Sequence, residues 1–284
     1  MASRNKTILI TGASGYLGSN LVEYFSSRYD VIKVARKKNE KGILAVDLAD
    51  ETSVADLSRQ HNPDFILHTA GKKAQVCEKN PEEALVNILA SELLARYFPS
   101  TPIYFFSTDF VFDGKNGNYT ETDYPNPLTV YGKSKVRAEE AYDLSKHCII
   151  RTAGLFNLNQ PGFLNYVFSQ FSQEQKVEAF TDVYSTPTYL PYLCKTLEEM
   201  IEKELTGLFH VAGSERVSRF EFAKLIAREF GYDENLVQGV EAPQSFLSPR
   251  DSSLDSSKIR GLLNLEWKSL SYALEEMHNK KSRL

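Results

Sequence analysis

The stretch TILITGASGYLG, residues 7–18, decides the fold. It begins with a β-rich apolar run, and glycines follow at Gly12, Gly15 and Gly18 before an amphipathic helical pattern. A glycine-rich turn between a strand and a helix lets backbone N–H groups approach a pyrophosphate, whose charge the helix N-terminus stabilises. The spacing is one residue wider in its first gap than Gly-x-Gly-x-x-Gly, and a merely structural tight turn is the alternative. The flanking strand and helix favour dinucleotide binding.

The first half of the chain continues this alternation of short apolar runs and helical patterns, which is typical of βαβ units and a parallel sheet. We predict strands at Thr7–Thr11, Val31–Ala35, Ile43–Val46, Phe65–Thr69, Ile103–Ser107 and Cys148–Arg151, with helices near Tyr16–Ser27, Ser53–Gln60, Pro81–Tyr97 and Tyr131–Ser145. Beyond these we predict helices near Phe163–Ser172, Tyr192–Lys203, Arg219–Phe230 and Ser269–His278, and a strand near Leu208–Val211. The polar segment Phe112–Thr129 is predicted to be a surface loop.

The predicted fold class is therefore α/β, with a Rossmann-type doubly wound parallel sheet and a smaller C-terminal substrate-binding lobe. We assign residues 1–155 to the dinucleotide-binding domain. Residues 156–284 would form mainly the substrate-binding lobe, interleaved with the last strands of the main sheet.

Composition and charge limit the functions that this chain can have. Hydrophobic residues make up 42% of it, enough for a substantial core. The net charge is -4 and both signs are spread along the chain, so we expect no nucleic-acid partner. The apolar run that follows the polar leader is too short for a signal-peptide core, and no apolar stretch approaches the roughly 20 residues of a membrane span. We therefore expect a cytoplasmic protein with no membrane partner.

The cysteines and histidines show no pattern of a metal site. Cys77, Cys148 and Cys194 lie far apart, so we expect reduced and buried thiols. The five histidines lack metal-ligand spacing, and His68 and His210 fall inside strand patterns where packed imidazoles are common.

The choice of nicotinamide cofactor is usually made at the end of the second strand. This chain has Arg36, Lys37 and Lys38 there and no acidic residue. A basic side chain tolerates the 2′-phosphate of NADP, so NADP (NADPH) is favoured over NAD, although a lysine-rich turn can also be a solvated edge. Asp47, after the third strand, is placed to meet the adenine edge, and the alternative is an ordinary helix cap.

The strongest chemical signal is the pair Tyr131 and Lys135 at the start of a predicted helix. Residues four apart on a helix share a face, and an ammonium beside a phenol lowers the pKa of the tyrosine toward neutrality. A carbonyl reductase needs such a proton donor. Thr108, at the end of a strand, can hydrogen-bond the substrate carbonyl oxygen. A lone Tyr-x-x-x-Lys pattern is common on solvated helices, but here it follows the glycine turn and the strand-end threonine in the right order.

With these motifs the chain resembles the extended short-chain dehydrogenase/reductases that act on nucleotide sugars, and more narrowly the dTDP-4-dehydrorhamnose reductase group. The narrower resemblance rests on STDFVFDG (107–114), VYGKSK (130–135), Arg151, STPT (185–188), and Pro249-Arg250 followed by Ser253-Leu254-Asp255.

The resemblance implies that a dinucleotide delivers hydride to carbon 4 of a 4-keto-6-deoxy sugar on a nucleoside diphosphate. Tyr131 would give the proton, Thr108 would steady the alkoxide, and Lys135 would hold the nicotinamide ribose. The implied cofactor-binding residues are Gly12, Ser14, Gly15, Tyr16, Leu17, Gly18, Arg36, Asp47, Leu48, Ala70, Gly71, Asn87, Tyr131 and Lys135. The implied substrate-binding residues are Lys72, Asp109, Phe110, Val111, Thr186 and Arg250. A guanidinium fork suits Arg250 to a diphosphate, and an exposed surface arginine is the alternative.

The loop after the fourth strand leaves the substrate open. Residues 70–78, AGKKAQVCE, depart from the Tyr-Thr-Ala-Val-Asp pattern of the rhamnose-pathway reductases. They resemble instead the regulatory β subunit of methionine adenosyltransferase, a relative that binds NADP and a partner enzyme. Asp109 and Phe110 replace the residues that 4,6-dehydratases and GDP-fucose-type epimerases carry, so both activities are disfavoured.

The first hypothesis is therefore NADPH-dependent reduction of a nucleotide-sugar substrate, giving dTDP-L-rhamnose. The alternative is a catalytically silent NADP-binding regulatory subunit. A homodimer and a role for Mg²⁺ both stay open.

Overall fold

The computed structural model describes residues 6–37, 42–158, 162–263 and 265–281. The chain forms two compact units. The first comprises Met1–Val111, Thr129–Arg151 and Ile201–Phe209, and the second comprises Phe112–Leu128, Thr152–Met200 and His210–Leu284. The assignment of one unit to the dinucleotide and the other to the substrate stays a prediction. Within the described ranges, no helix is both long enough and apolar enough to cross a membrane.

The elements are numbered in chain order. The strands are β1 (Thr7–Thr11), β2 (Asp30–Ala35), β3 (Ile43–Ala45), β4 (Phe65–His68), β5 (Ile103–Thr108), β6 (Cys148–Thr152), β7 (Leu155–Phe156), β8 (Val177–Phe180), β9 (Tyr184–Ser185), β10 (Thr188–Tyr189), β11 (Gly207–His210), β12 (Val217–Ser218) and β13 (Val237–Val240). The α-helices are α1 (Tyr16–Phe25), α2 (Glu51–Gln60), α3 (Ala74–Lys79), α4 (Leu85–Tyr97), α5 (Val130–Glu139), α6 (Phe163–Ser172), α7 (Leu190–Glu202), α8 (Arg219–Phe230), α9 (Ser257–Leu262) and α10 (Leu270–Lys281). Short 3-10 helices cover Pro81–Ala84, Asp109–Val111 and Glu234–Leu236.

A seven-stranded sheet in the order β11-β6-β5-β4-β1-β2-β3 organises the first unit. Strand β1 pairs in parallel with both β2 and β4. The chain runs outward from β1 to β3 and then returns to β4 on the other side of β1. Doubly wound sheets bind ligands beyond the carboxyl ends of the strands at such a reversal. The predicted doubly wound α/β sheet is confirmed.

The core of the first unit explains why its strands are continuously apolar. Every residue of β4 and β5 is buried, as expected for parallel strands that helices cover on both faces. Leu94 of α4, Phe105 of β5 and Ala138 of α5 belong to one buried cluster. Truncating a fully buried leucine such as Leu94 to alanine costs about 2–5 kcal/mol, so this core fixes α4 and α5 against the sheet.

The second unit has its own core between short strand pairs and three helices. Strands β8 and β13 pair in parallel, with Val177 opposite Val237. Helices α6, α8 and α10 each contribute fully buried side chains, among them Val167, Ala223 and Leu274. The N-terminus of α8 carries a complete capping box formed by Ser218 and Glu221, which fixes where this helix begins.

Two local predictions were wrong, and some elements were not predicted. The helix that begins at Val130 ends at Glu139 instead of continuing to residue 145, because the Asp143 carboxylate accepts from the N–H and hydroxyl of Ser145 in a local turn. The loop at residues 112–129 is irregular as predicted but not wholly at the surface, since Phe112 and Tyr119 are buried and stack with ring centroids 4.1 Å apart. Helix α3 was not predicted.

Candidate active site

The glycine turn after β1 closes on the residue that follows β4. Gly12 has a φ of +67°, and a Cβ at this position would lie 2.8 Å from the backbone nitrogen of Ala70. A Cβ at Gly18 would lie 2.1 Å from the carbonyl oxygen of Gly12. Gly15 is the N-cap of α1, where no side chain caps the helix and no acidic residue occupies the first turn. The turn therefore fits a pyrophosphate, because its helix N-terminus is left without an acceptor from a side chain.

The other residues predicted around the dinucleotide lie near this sheet edge. Ser14 is exposed in the turn, and Tyr16 and Leu17 begin α1. Arg36 and Lys37 are exposed beyond β2, whereas Lys38 lies outside the described residues.

Asp47 and Leu48 follow β3. Asp47 is exposed and accepts from the N–H of Ala49 at 3.0 Å, and Leu48 is buried. The cap of α2 is Asp50, so the helix-cap alternative for Asp47 is wrong and its side chain is held in a local turn instead.

Asn87 of α4 joins the loop after β4 to α5. Its Oδ1 accepts from the N–H of Lys72 at 2.6 Å, and its Nδ2 donates to the hydroxyl of Ser134 at 2.9 Å. Ser134 in turn donates to the carbonyl oxygen of Tyr131 at 2.7 Å. A Cβ at Gly71 would lie 2.9 Å from Oδ1 of Asn87. Asn87 thus positions both the loop and the tyrosine, while its contact with the cofactor stays a prediction.

A carboxylate that the sequence did not reveal supports the start of α5. Glu78 accepts from the backbone N–H groups of Tyr131 at 3.0 Å and Val130 at 3.2 Å. Thr129 is the N-cap, and its hydroxyl accepts from the N–H of Gly132 at 2.9 Å. Three N–H groups of the first turn are therefore satisfied, with a negative charge at the positive end of the helix dipole. Glu78 lies 52 residues before Val130, so no local signal marks this role.

Tyr131 and Thr108 are brought together, and the pKa of Tyr131 differs from the prediction. Burial and then the negative charge of Asp109 raise the pKa of the phenol, while a hydrogen bond with the Thr108 side chain acts in the opposite direction. Thr108 donates to Oδ1 of Asp109 at 3.0 Å and accepts from the N–H of Phe110 at 3.2 Å. The expected lowering of this pKa by Lys135 is wrong, and the phenol keeps its proton at neutral pH.

Lys135 points elsewhere, which is the physical reason for that correction. Its ammonium donates to the carbonyl oxygen of Phe106 at 2.6 Å and lies 3.9 Å from the ring centroid of Phe105. Burial lowers the pKa of Lys135 to about 7, and the charge of Glu139 opposes this shift. A proton on this side chain is therefore easily exchanged near neutral pH.

A buried ion pair fixes α5 to the sheet. Arg151 of β6 donates from Nε and a terminal nitrogen to the two carboxylate oxygens of Glu139, at 3.0 and 2.6 Å, and Ser107 donates to the same carboxylate. Both charged side chains are buried. Removing one partner of such a pair costs about 3–5 kcal/mol, because it leaves an uncompensated charge.

Three other residues predicted to bind the substrate are buried or already bonded within the protein. Lys72 forms an ion pair with Glu83, and Val111 is wholly buried. In the second unit, the hydroxyl of Thr186 accepts from the N–H of Leu254 at 3.2 Å.

Arg250, also in the second unit, is bonded within that unit. Its guanidinium pairs with Asp182 and donates to the carbonyl oxygens of Ala242 and Pro243, at 3.1 and 3.0 Å. It is therefore not a freely exposed arginine, and Asp182 is its acidic partner. Its predicted contact with a diphosphate stays a prediction.

The histidines and cysteines are packed as predicted. His68 and His210 are fully buried, and Cys77, Cys148 and Cys194 are buried free thiols. Nδ1 of His68 lies 2.7 Å from the hydroxyl of Thr11, and burial with the charge of Lys135 lowers the pKa of His68 to about 3. This imidazole is therefore neutral at physiological pH.

Comparison with known proteins gives one family and several relatives. The family model described as the RmlD substrate binding domain matches residues 6–283. The chain is 29% identical to methionine adenosyltransferase 2 subunit beta of Danio rerio, over 93% of this chain and 87% of that protein. It superposes on a hypothetical dTDP-4-dehydrorhamnose reductase from Sulfolobus tokodaii with a TM-score of 0.85 and 36% identity, covering 94% and 98% of the two chains. A dTDP-4-dehydrorhamnose reductase from Bacillus anthracis, solved in complex with NADP, gives a TM-score of 0.88 and 25% identity over 98% and 100%.

Proposed function

The chain belongs to the RmlD substrate-binding-domain family, as the motifs at residues 107–114 and 130–135 predicted, and on that premise we propose that it is an NADPH-dependent reductase of a nucleotide-linked keto sugar. One observation carries the proposal. The protonated phenol of Tyr131 lies beside the strand-end hydroxyl of Thr108, on a helix that Asn87 ties to the loop after β4. That loop borders the glycine turn.

The residues of the first unit fit a nicotinamide dinucleotide. The glycine turn lets the backbone pack closely, and the uncapped start of α1 favours the charge of a pyrophosphate. Arg36 and Lys37, exposed beyond β2, support NADP over NAD because a guanidinium suits a 2′-phosphate. Bound there, the dinucleotide supplies the hydride.

The side chains of this chain then protonate and stabilise the oxygen of the ketone. Tyr131 carries its proton at neutral pH and donates it to the oxygen as the carbon accepts hydride. Thr108 donates a second hydrogen bond to the developing alkoxide, which requires only rotation of a hydroxyl that is now directed at Asp109. Lys135, with a pKa near neutrality, holds or exchanges a proton close by.

The first-choice substrate is the dTDP-linked 4-keto-6-deoxy sugar that precedes dTDP-L-rhamnose. The resemblance at STDFVFDG and the two reductases of similar structure support this choice. We also propose a cytoplasmic location, with neither a nucleic acid nor a membrane as a partner, since the charge is spread along the chain.

A second candidate function follows from residues 70–78 and from the similarity to methionine adenosyltransferase 2 subunit beta. In this alternative the chain binds NADP and regulates a partner enzyme, and the catalytic residues are retained without turnover. The Lys72 ammonium pairs with Glu83, and the Lys72 N–H donates to Asn87. This favours the alternative, because the ammonium is then engaged within the protein and is not available to a substrate.

The deciding experiment is NADPH oxidation by the purified protein with dTDP-4-keto-6-deoxy-L-mannose. We expect turnover with NADPH to exceed turnover with NADH. Tyr131→Phe should reduce it by roughly 100-fold or more, the contribution of a general acid. Tyr272→Phe, at a half-exposed position on α10, is the matched control and should keep wild-type activity.

Two outcomes would contradict the proposal. If NADPH binds tightly but this sugar and related keto sugars are not consumed, the reductase proposal fails and the regulatory alternative is favoured. If turnover survives in Tyr131→Phe, the proton donor has been misassigned.

A further inference from the structure

His68, the last residue of β4, lies between a residue of β1 and a residue of β5. It is paired in register with Thr11 on one side and with Phe105 on the other. Nδ1 of His68 lies 2.7 Å from the hydroxyl oxygen of Thr11, and the imidazole stacks on the ring of Phe105 with centroids 5.4 Å apart. All three side chains are buried. They therefore form a row of contacts across three strands of the main sheet.

Thr11 connects one end of this row to the glycine turn. It directly precedes Gly12, and its hydroxyl accepts from the N–H of Ala70 at 3.2 Å. Its carbonyl oxygen accepts from the hydroxyl of Thr69 at 2.6 Å. A Cβ at Gly12 would lie 2.9 Å from that same Thr69 hydroxyl oxygen, so the turn has little freedom to shift. The hydroxyl of Thr11 thus helps to fix where the turn begins.

Phe105 connects the other end of the row to Lys135. The Lys135 ammonium lies 3.9 Å from the ring centroid of Phe105 and donates to the carbonyl oxygen of Phe106 at 2.6 Å. The negative face of an aromatic ring attracts such a cation, so the position of the ring affects the position of the ammonium. The ring of Tyr142 also packs against Phe105, with centroids 5.0 Å apart. The imidazole of His68 is therefore one of two rings that hold Phe105.

Packing alone does not explain an imidazole at this position. The ring is fully buried, and its Nε2 has no hydrogen-bond partner among the residues that the structure describes. A buried polar atom without a partner destabilises a fold, and an apolar side chain of similar size would avoid that cost. No apolar side chain, however, could both bond to the Thr11 hydroxyl and present a flat ring to Phe105. These two contacts point to a role in holding the site.

We propose that His68 is a positioning residue that holds the glycine turn through Thr11 and the Lys135 ammonium through Phe105. This inference rests on the proposed function, which gives a dinucleotide to the turn and a proton-exchanging role to Lys135. The two contacts use different parts of the imidazole. Nδ1 holds the turn, and the face of the ring holds the lysine.

Two substitutions at His68 separate these contacts. His68→Asn carries on Cγ an amide, which can accept or donate in place of Nδ1 but has no ring to stack. It should bind NADPH as the wild type does, and its kcat should fall by about 10-fold or more because the ammonium loses its support. His68→Phe keeps a stacked ring and loses the bond. It should bind NADPH about 10-fold more weakly, since the turn must then be ordered on binding, and keep its kcat at saturating NADPH.

The measurements are calorimetric titration of the purified full chain with NADPH and turnover of dTDP-4-keto-6-deoxy-L-mannose. Thr11→Val removes only the hydroxyl and should match His68→Phe in both. Combining the two substitutions should weaken NADPH binding no further than either alone, because they remove the same bond. Phe105→Leu removes the other contact and should match His68→Asn. These variants keep both contacts testable if a substitution at His68 prevents folding.

His278 of α10 provides a matched control in the second unit. Its Nδ1 lies 2.7 Å from the carbonyl oxygen of Glu229, and its ring stacks on Phe230 with centroids 4.7 Å apart. It therefore makes the same two kinds of contact as His68. His278→Asn and His278→Phe should lower the Tm and leave both the Kd for NADPH and kcat unchanged.

Equal effects of His68→Asn and His68→Phe on the Kd for NADPH would overturn the inference, because a histidine that only fills space gives the same loss in both. This readout needs no turnover. If the two Kd values differ as expected but the wild type reduces no keto sugar, the hold of His68 on the turn stands and the reductase fails. If the wild type turns over while the two variants agree in Kd and kcat, the reductase stands and the positioning role fails.

Discussion

Replacing Glu78 with alanine tests whether the start of α5 positions the phenol of Tyr131. The Glu78 carboxylate accepts from two backbone N–H groups, those of Val130 and Tyr131. Helix caps contribute about 0.5–2 kcal/mol, and a carboxylate at a helix N-terminus roughly 0.3–1 kcal/mol. Glu78 is exposed, and Thr129 still caps Gly132 in the variant. We therefore expect the free energy of unfolding to fall by only about 1 kcal/mol.

The effect on activity should be larger than the effect on stability. One of the two N–H groups belongs to Tyr131 itself, so losing its acceptor loosens the backbone that carries the proton donor. A misplacement of about 1 Å at a reacting group can reduce the rate by roughly 100-fold. We expect kcat to fall by about 10-fold or more in Glu78→Ala, with the Kd for NADPH unchanged. Urea unfolding and NADPH oxidation on the same preparation measure the two effects.

Two further variants make the test specific. Glu82→Ala removes an exposed carboxylate a few residues away and should change neither the free energy of unfolding nor kcat. Glu78→Gln keeps one acceptor oxygen and should lie between the wild type and alanine. The positioning argument is refuted if Glu78→Ala loses the expected stability yet turns over at the wild-type rate.

Two other predictions concern Lys135 and the glycine turn. Burial lowers the pKa of Lys135 from 10.5 to about 7, so between these values the unfolded chain binds more protons and stability rises with pH. Lys135→Met should flatten that rise, as urea midpoints at about pH 7.5 and about pH 9.5 would reveal, and a slope equal to that of the wild type would count against it. Gly18→Ala should lower the Tm and abolish NADP binding, because its Cβ would lie 2.1 Å from the carbonyl oxygen of Gly12. Gly261→Ala, whose Cβ would meet no atom within 4 Å, is its control, and wild-type NADP affinity in Gly18→Ala would refute the argument.

Hydrophobic periodicity predicted those helices whose limits are set by residues close together in the sequence. Helices α6 and α8 begin and end where the sequence places them, since an amphipathic face and, for α8, the capping box at Ser218 specify them locally. Strands β8 and β13 were missed, because the pairing of Val177 with Val237 joins distant parts of the chain and leaves no local signal.

For the candidate site too, the sequence predicted the features that depend on local spacing and missed those that depend on contacts between distant segments. Spacing along the chain placed Tyr131 and Lys135 on one helix and Thr108 at a strand end. It could not give the depth of burial, which raises the pKa of Tyr131 and lowers that of Lys135. Nor could it reveal Glu78 or the counter-charge of Arg250, because those contacts join segments far apart in sequence.

The edge strand β11 has a consequence for how the protein can fold during synthesis. It completes the order of the main sheet beside β6, yet it lies after Thr152–Met200, which belongs to the second unit. A ribosome must therefore deliver most of the polypeptide before the sheet is finished, and until then β6 presents an unpaired edge. Such edges invite pairing with other chains. The first unit is consequently not a fragment that could be cut out at residue 155 with its sheet complete, because one of its own strands would be left behind.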